Sequence, residues 1–168
     1  MRKTTILFVC PDNALLGPLA EAYLNARSTG FVRAFSAGIR PRIRLDPLVQ
    51  KLLSSRGIQA WGLEPKSLDV FLMPHAPKPD RVIYLADMEK AVLPAEWSGS
   101  VSEHAWTVAG KSLFPGSWPA ATEDSRRTRR PTENVQPQLV EERLVRPRFA
   151  LAELFQLLRV YAYELGGA

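Results

Sequence analysis

The residues that most constrain this chain are Ile6-Leu7-Phe8-Val9, a continuous apolar and partly β-branched run that stops at Pro11-Asp12-Asn13. An unbroken apolar run this short is the pattern of a strand buried on both faces inside a parallel sheet. Beyond the turn, Leu15, Leu16, Leu19, Tyr23 and Ala26 fall at helical spacing, with the helix placed over Gly17 to Arg27. Pro18 suits its first turn, where a missing N–H leaves no intrahelical bond unmade. Strand, tight turn and helix together form the opening of a βα unit.

The same pattern recurs downstream. Phe31 to Ala37 predicts a second strand, and Asp46-Pro47 opens a second helix that carries Leu48, Val49, Leu52 and Leu53 and stops at Arg56-Gly57. Arg81 to Leu85 predicts a third strand, preceded by a loop at Pro74, Pro77 and Pro79, and a fourth lies within Glu103 to Val108. From Lys111 to Pro137 the composition turns to Pro, Ser, Thr, Arg and Glu, which predicts a flexible surface loop. Between Pro147 and Gly166-Gly167, Leu151, Leu154, Phe155, Leu158, Tyr161 and Leu165 share one face of a final helix. The expected fold is a single, doubly wound α/β domain over residues 1–168 with a parallel sheet of about four strands. Its ligand site is expected at the C-terminal edge of the sheet, where Cys10 ends the first strand.

Composition narrows the function classes. With 168 residues, 46% hydrophobic and 23% charged, the chain can bury one ordinary core. A single cysteine makes neither an internal disulfide nor a thiolate zinc site, so a reducing cytoplasm is the expected compartment and no metal or other cofactor is implied. His75 and His104 stand apart, without clustered carboxylates. The apolar stretch after Arg2-Lys3 ends at Pro11, far short of the about 18 residues a membrane span needs. Of the formal charge of +5, residues 1–45 carry all: they hold 7 Lys and Arg against 2 Asp and Glu. Arg33, Arg40, Arg42 and Arg44 make up most of that excess, and an anionic partner near this part is expected. Arg126-Arg127-Thr128-Arg129-Arg130 has no interleaved aromatics and is flanked by acids, which argues against nucleic-acid binding.

The segment Cys10 to Pro18 joins a buried strand to a helix N-terminus, a place where free N–H groups favour an anion and lower a thiol pKa. Two readings are open on the residues alone: a nucleophilic cysteine, or an inert small residue packed at a strand end.

Val9-Cys10, Asn13 and Gly17-Pro18-Leu19-Ala20-Glu21-Ala22 resemble the low-molecular-weight protein tyrosine phosphatases and the thioredoxin-coupled arsenate reductases of the same fold. The likeness continues through Phe35-Ser36-Ala37-Gly38, the Asp46-Pro47 helix ending in Arg56-Gly57-Ile58, Pro65-Lys66-Ser67-Leu68, Asp80 to Asp87 and the final helix. It implies an anion-binding loop over Asp12, Asn13, Ala14, Leu15, Leu16 and Gly17, with Cys10 as nucleophile. The departures bear on activity. Six positions after Cys10, where the family has the arginine that grips the phosphoryl oxygens, stands Leu16, and the family's next residue, a serine, is Gly17. Asp12 adds negative charge and Pro11 has no N–H to offer. The family's Asp-Pro general acid has no counterpart near Trp106 to Lys111, and Asp124 lies in an unalignable loop. Ala86 and Leu93-Pro94 reproduce the spacing of the reductases' two further cysteines without either thiol, so a disulfide relay is excluded.

Loss of one transition-state donor typically costs about 10²–10³ in rate. The expected function is therefore a phosphatase-like protein, impaired in catalysis, that serves as a binding or regulatory module for an oxyanion or a phosphorylated protein. The alternative is an active cysteine-dependent phosphatase or reductase-like enzyme in which Arg40 or Arg42 supplies the missing cation from a neighbouring loop. A third reading turns the anion cradle into an apolar pocket lined by Leu15 and Leu16. Trp97, Trp106 and Trp118 either pack on the sheet or mark a partner surface.

Overall fold

The computed structural model describes residues 3–28, 30–109 and 137–165. Four parallel strands, β1 (Thr4–Cys10), β2 (Val32–Gly38), β3 (Arg81–Ala86) and β4 (Ser102–Ala109), form one sheet in the order β2-β1-β3-β4. Among the described residues five helical elements accompany them: α1 (Leu16–Arg27), α2 (Pro47–Ser54), the one-turn α3 (Asp69–Leu72), a 3₁₀ turn at Ala95–Trp97 and α4 (Pro137–Glu164).

Alternation along β1 divides the core. Ile6, Phe8 and Cys10 face one layer, built from Leu16, Leu19 and Leu24 of α1, Val49 and Leu53 of α2, and Leu151, Leu154, Phe155 and Leu158 of α4. Leu7 and Val9 face the other, with Ala37, Leu68, Phe71, Val82, Tyr84 and Trp97. With helices on both faces, residues 6–10 of β1 are buried whichever way they point, which is why the run at 6–9 is continuously apolar. The chain leaves β1 for β2 on one side and returns to β3 on the other, so the C-terminal end of β1 is the switch point of the sheet.

The strand expectations agree with the structure to within a residue or two. Asp46 caps α2, its Oδ1 accepting the N–H of Leu48 at 2.9 Å, with Pro47 at the first helical position. The final helix starts at Pro137, ten residues before the expected Pro147. Residues 137–146 are mostly good helix formers, and they carry the helix past a proline that removes one intrahelical bond. Two short elements were not expected, α3 and the 3₁₀ turn, since neither is long enough to show a period. Trp97 is buried, and Trp106 stacks edge-on against Tyr161 at 5.0 Å between centroids and near Phe8 at 5.9 Å, so both pack on the sheet. The expected loop at 111–137 falls outside the described residues except for Pro137, as do Trp118, Asp124 and Arg126 to Arg130. No helix among the described residues is long and apolar enough to cross a membrane.

Candidate functional site

Register places Cys10 opposite Gly38, so the chain that follows β1 emerges beside the chain that follows β2. The two segments are stitched together. The carbonyls of Cys10, Pro11, Asp12 and Ala14 accept main-chain N–H bonds from Ile39 (3.3 Å), Arg40 (2.9 Å), Arg42 (2.9 Å) and Asp46 (2.9 Å). Pairing four carbonyls in this way fixes the path of the loop and turns its outer side toward residues 39–46. Within the loop, Asp12 Oδ1 accepts the Ala14 N–H at 3.2 Å, and Asn13 adopts φ +47, a conformation that asparagine tolerates better than most residues.

Asn13 is fully buried. Its Nδ2 donates to the Lys66 carbonyl at 3.3 Å, and that carbonyl also accepts the Gly38 N–H at 2.8 Å. Lys66 Nζ pairs with Glu21 Oε2 at 3.0 Å, and Ser36 Oγ donates to the same oxygen at 2.6 Å. This polar layer joins α1, β2 and the 65–68 segment beneath the loop. The sequence motifs Gly17 to Ala22, Phe35 to Gly38 and Pro65 to Leu68 hold Glu21, Ser36 and Lys66, but nothing in the chain alone announces that they meet.

Two glycines make the loop possible. A Cβ at Gly38 would lie 2.9 Å from Asn13 Cβ and 3.0 Å from both Asn13 N and the Asp12 carbonyl carbon, so backbone would have to move. A Cβ at Gly17 would lie 2.6 Å from Asn13 Oδ1 and 3.0 Å from Cys10 Sγ. The space beside the sulfur is therefore filled by Asn13 and the α1 backbone, where the resemblance implied a serine. Asn13 Oδ1 itself has no hydrogen-bond partner.

Burial dominates the chemistry of Cys10. It pushes the thiol up from an ordinary 9.0 to about 12; N–H groups of Gly17, Asn13 and Asp12 favour the thiolate, and the Asp12 carboxylate opposes it. The side chain is fully buried, so at neutral pH the group is a protonated thiol. Leu16, only 3% exposed, packs into the core with Leu19 and Ala20, while Leu15 ahead of it is partly buried and caps nothing through its side chain. Ala14 is buried too.

The two arginines expected near the loop differ. Arg42 Nε lies 2.9 Å from Asp12 Oδ2, pairing with the one acidic side chain of the loop. Arg40 reaches it through its main-chain N–H, with an exposed side chain. Arg33 stacks over Phe35 at 5.0 Å instead. Neither histidine joins the site: His75 is exposed, and His104 Nε2 lies 3.2 Å from Ser102 Oγ. Among the described residues no group of three His, Cys, Asp or Glu is placed to hold a metal.

Comparison with known proteins puts this geometry in context. No curated protein sequence matches the chain. Among solved structures, an arsenate reductase from Archaeoglobus fulgidus is similar at 22% identity and a TM-score of 0.58, covering 94% of this chain and 98% of its own. A thioredoxin-dependent arsenate reductase from Corynebacterium glutamicum is 22% identical with a TM-score of 0.53, covering 95% of this chain and 64% of its own. YfkJ from Bacillus subtilis is 19% identical with a TM-score of 0.52, covering 98% of both chains. At such identities the likeness speaks for the fold. The sequence also matches the low molecular weight phosphotyrosine protein phosphatase family over residues 5–108, which span Cys10, its loop and β1 to β3. A match over more than half of the chain makes this protein a member of the low molecular weight phosphotyrosine protein phosphatase family.

Proposed function

We propose that this chain keeps the phosphatase scaffold without phosphatase chemistry and acts in the cytoplasm as a binding or regulatory module, as one domain. The observation that carries the proposal is Leu16 in the core at the position of the phosphoryl-gripping arginine. A buried aliphatic side chain cannot donate to a phosphoryl oxygen, and nothing else inside the loop is cationic. Three features support it. The Cys10 thiol is pushed up to about 12 rather than down, so the nucleophilic form is scarce at neutral pH. Asp12 brings negative charge to the place a dianion would occupy. Arg42, the guanidinium in contact with the loop, is paired with that carboxylate.

The alternative enzyme, with its cation supplied by Arg40 or Arg42, needs both a guanidinium within reach and a depressed thiol pKa. Arg42 meets the first need, but the direction of the Cys10 shift opposes the second. Hydrolysis of an aryl phosphate by the purified protein tests the proposal. Turnover should equal that of Cys10→Ser; robust turnover that Cys10→Ser abolishes would overturn it.

A further inference from the structure

Away from the Cys10 loop, α2 and the turn that follows it border an open groove of about 750 Å³. Asp46, Gln50, Ser54, Gln59 and Trp61 are among its walls, and none of residues 10–17 lines it. A second hollow of about 390 Å³ adjoins it, sharing Gln59 and Trp61 and reaching Glu21 of α1. Trp61 stands at the junction with 86% of its surface in solvent. An indole left in water beside a concave surface is the kind of residue that anchors protein contacts.

The charge of these walls is one-sided. Among the residues that line the two hollows the charged side chains are Asp46 and Glu21, with no Lys, Arg or His. Glu21, at the far end, is neutralised by Lys66. Asp46 is half-buried, and its Oδ1 accepts the Leu48 N–H at the start of α2. Its carboxylate has no ion-pair partner among the described residues. Gln50, Gln59 and Ser54 add amide and hydroxyl oxygens to the same walls. An uncompensated carboxylate, an open indole and neutral acceptors together complement a guanidinium. Its planar, weakly hydrated head stacks on an aromatic ring and still presents N–H groups at its edge.

We propose that this groove docks an arginine side chain carried by an extended segment of a partner protein, the guanidinium stacking on Trp61 and pairing with Asp46. A groove this open would leave a small free cation largely in water, whereas a segment of chain covers both hollows. The exposed Arg44 and the net charge of +5 repel a polybasic tail, so the docked arginine is flanked by residues without positive charge. Acidic walls likewise disfavour the phosphates of a bilayer or a nucleic acid. The proposal does not depend on whether Cys10 is catalytically active.

Selection of binders from a random peptide display library on the intact protein tests it. The best peptide is then synthesised, with a twin in which citrulline, the neutral isostere, replaces its arginine, and both affinities are measured by fluorescence anisotropy. Selected peptides should share one arginine, and the citrulline twin should bind about tenfold or more weakly. Trp61→Ala and Asp46→Asn should each weaken the arginine peptide by about the same factor. Asparagine caps a helix as well as aspartate does, so Asp46→Asn removes the charge and keeps α2. Because Trp61 is exposed, loss of binding in Trp61→Ala with an unaltered circular dichroism spectrum is a contact effect. Failure to enrich binders, a set without a shared arginine, a citrulline twin that binds equally well, or binding that survives both groove variants overturns the proposal. So does equal affinity for free arginine amide, which would make the occupant a small cation, or Trp61-dependent self-association in sedimentation in place of peptide binding, which would make it a second copy of this chain.

Discussion

In the loop that closes β1, Cys10, Asn13, Ala14 and Leu16 are buried, four carbonyls are bonded to residues 39–46, and an added carbon at position 17 or 38 has no room. Around Trp61 the indole stands in solvent beside an open groove whose walls include Asp46, Gln50 and Gln59. Both regions border the same 39–46 segment, which pins the first and edges the second. The difference separates two uses of one scaffold. A site that must grip an anion needs an inward cation and an ionised nucleophile, whereas this loop places Leu16 in the core and holds its one reactive group as a thiol. Trp61, by contrast, is an accessible side chain beside α2.

Substitutions sharpen this contrast, the largest effect first. Gly38→Ala forces backbone apart and should destabilise by about 3 kcal/mol or more, to the point of failing to fold, read from a urea unfolding curve. Trp61→Ala should stay within about 0.5 kcal/mol of the parent in the same measurement, because that side chain supports little of the core. If the two are equal, the loop is not the tightly packed region.

Burial of the thiol predicts alkaline sensitivity. Above the ordinary thiol value of 9.0 the unfolded chain releases the Cys10 proton while the folded chain keeps it until about 12. Stability should therefore fall as pH rises through that window, by about 1.4 kcal/mol per unit at most. Cys10→Ala should remove that part of the slope. A smaller part will remain, since burial and the neighbouring Glu103 push Tyr84 up from 10.0 to about 12 as well. Iodoacetamide should react with Cys10 at neutral pH only after unfolding; rapid labelling of the native protein would mean that the loop opens.

Gly17→Ala is expected to cost about 1–3 kcal/mol, less than Gly38→Ala, because one of the atoms it meets is the end of the Asn13 side chain. For the same reason Leu16→Arg with Gly17→Ser should not restore aryl phosphate hydrolysis, even though it rewrites the loop in the family's letters. Arg42→Ala is also a small effect, below about 1 kcal/mol, since its side chain is 63% exposed and the pair is screened by water.

Much of this was legible in the chain. The apolar run at 6–9, Pro18 in the first turn of α1 and the Asp46-Pro47 cap depend on local rules, and each appears where those rules put it. Leu16 and Gly17 were visible as departures from the family's pattern. What stayed hidden was tertiary. The need for glycine at 38 comes from a neighbouring strand crossing Asn13, and the Glu21, Ser36 and Lys66 layer joins residues far apart in sequence. The raised thiol pKa depends on burial from every side, which a helix N-terminus taken alone would have argued the other way. The start of α4 was misplaced because Pro147 reads locally as a first-turn residue although the helix runs through it.

The most direct test is a crystal structure of the protein grown with arsenate or phosphate as the only added oxyanion. With Leu16 in the core and Asp12 in the loop, the account predicts no ion bound to the N–H groups between Asp12 and Gly17, with Asn13 still packed against Gly17 and Cys10. An oxyanion seated over the sulfur of Cys10, with Arg40 or Arg42 turned inward to meet it, would contradict the proposal and restore the enzyme reading.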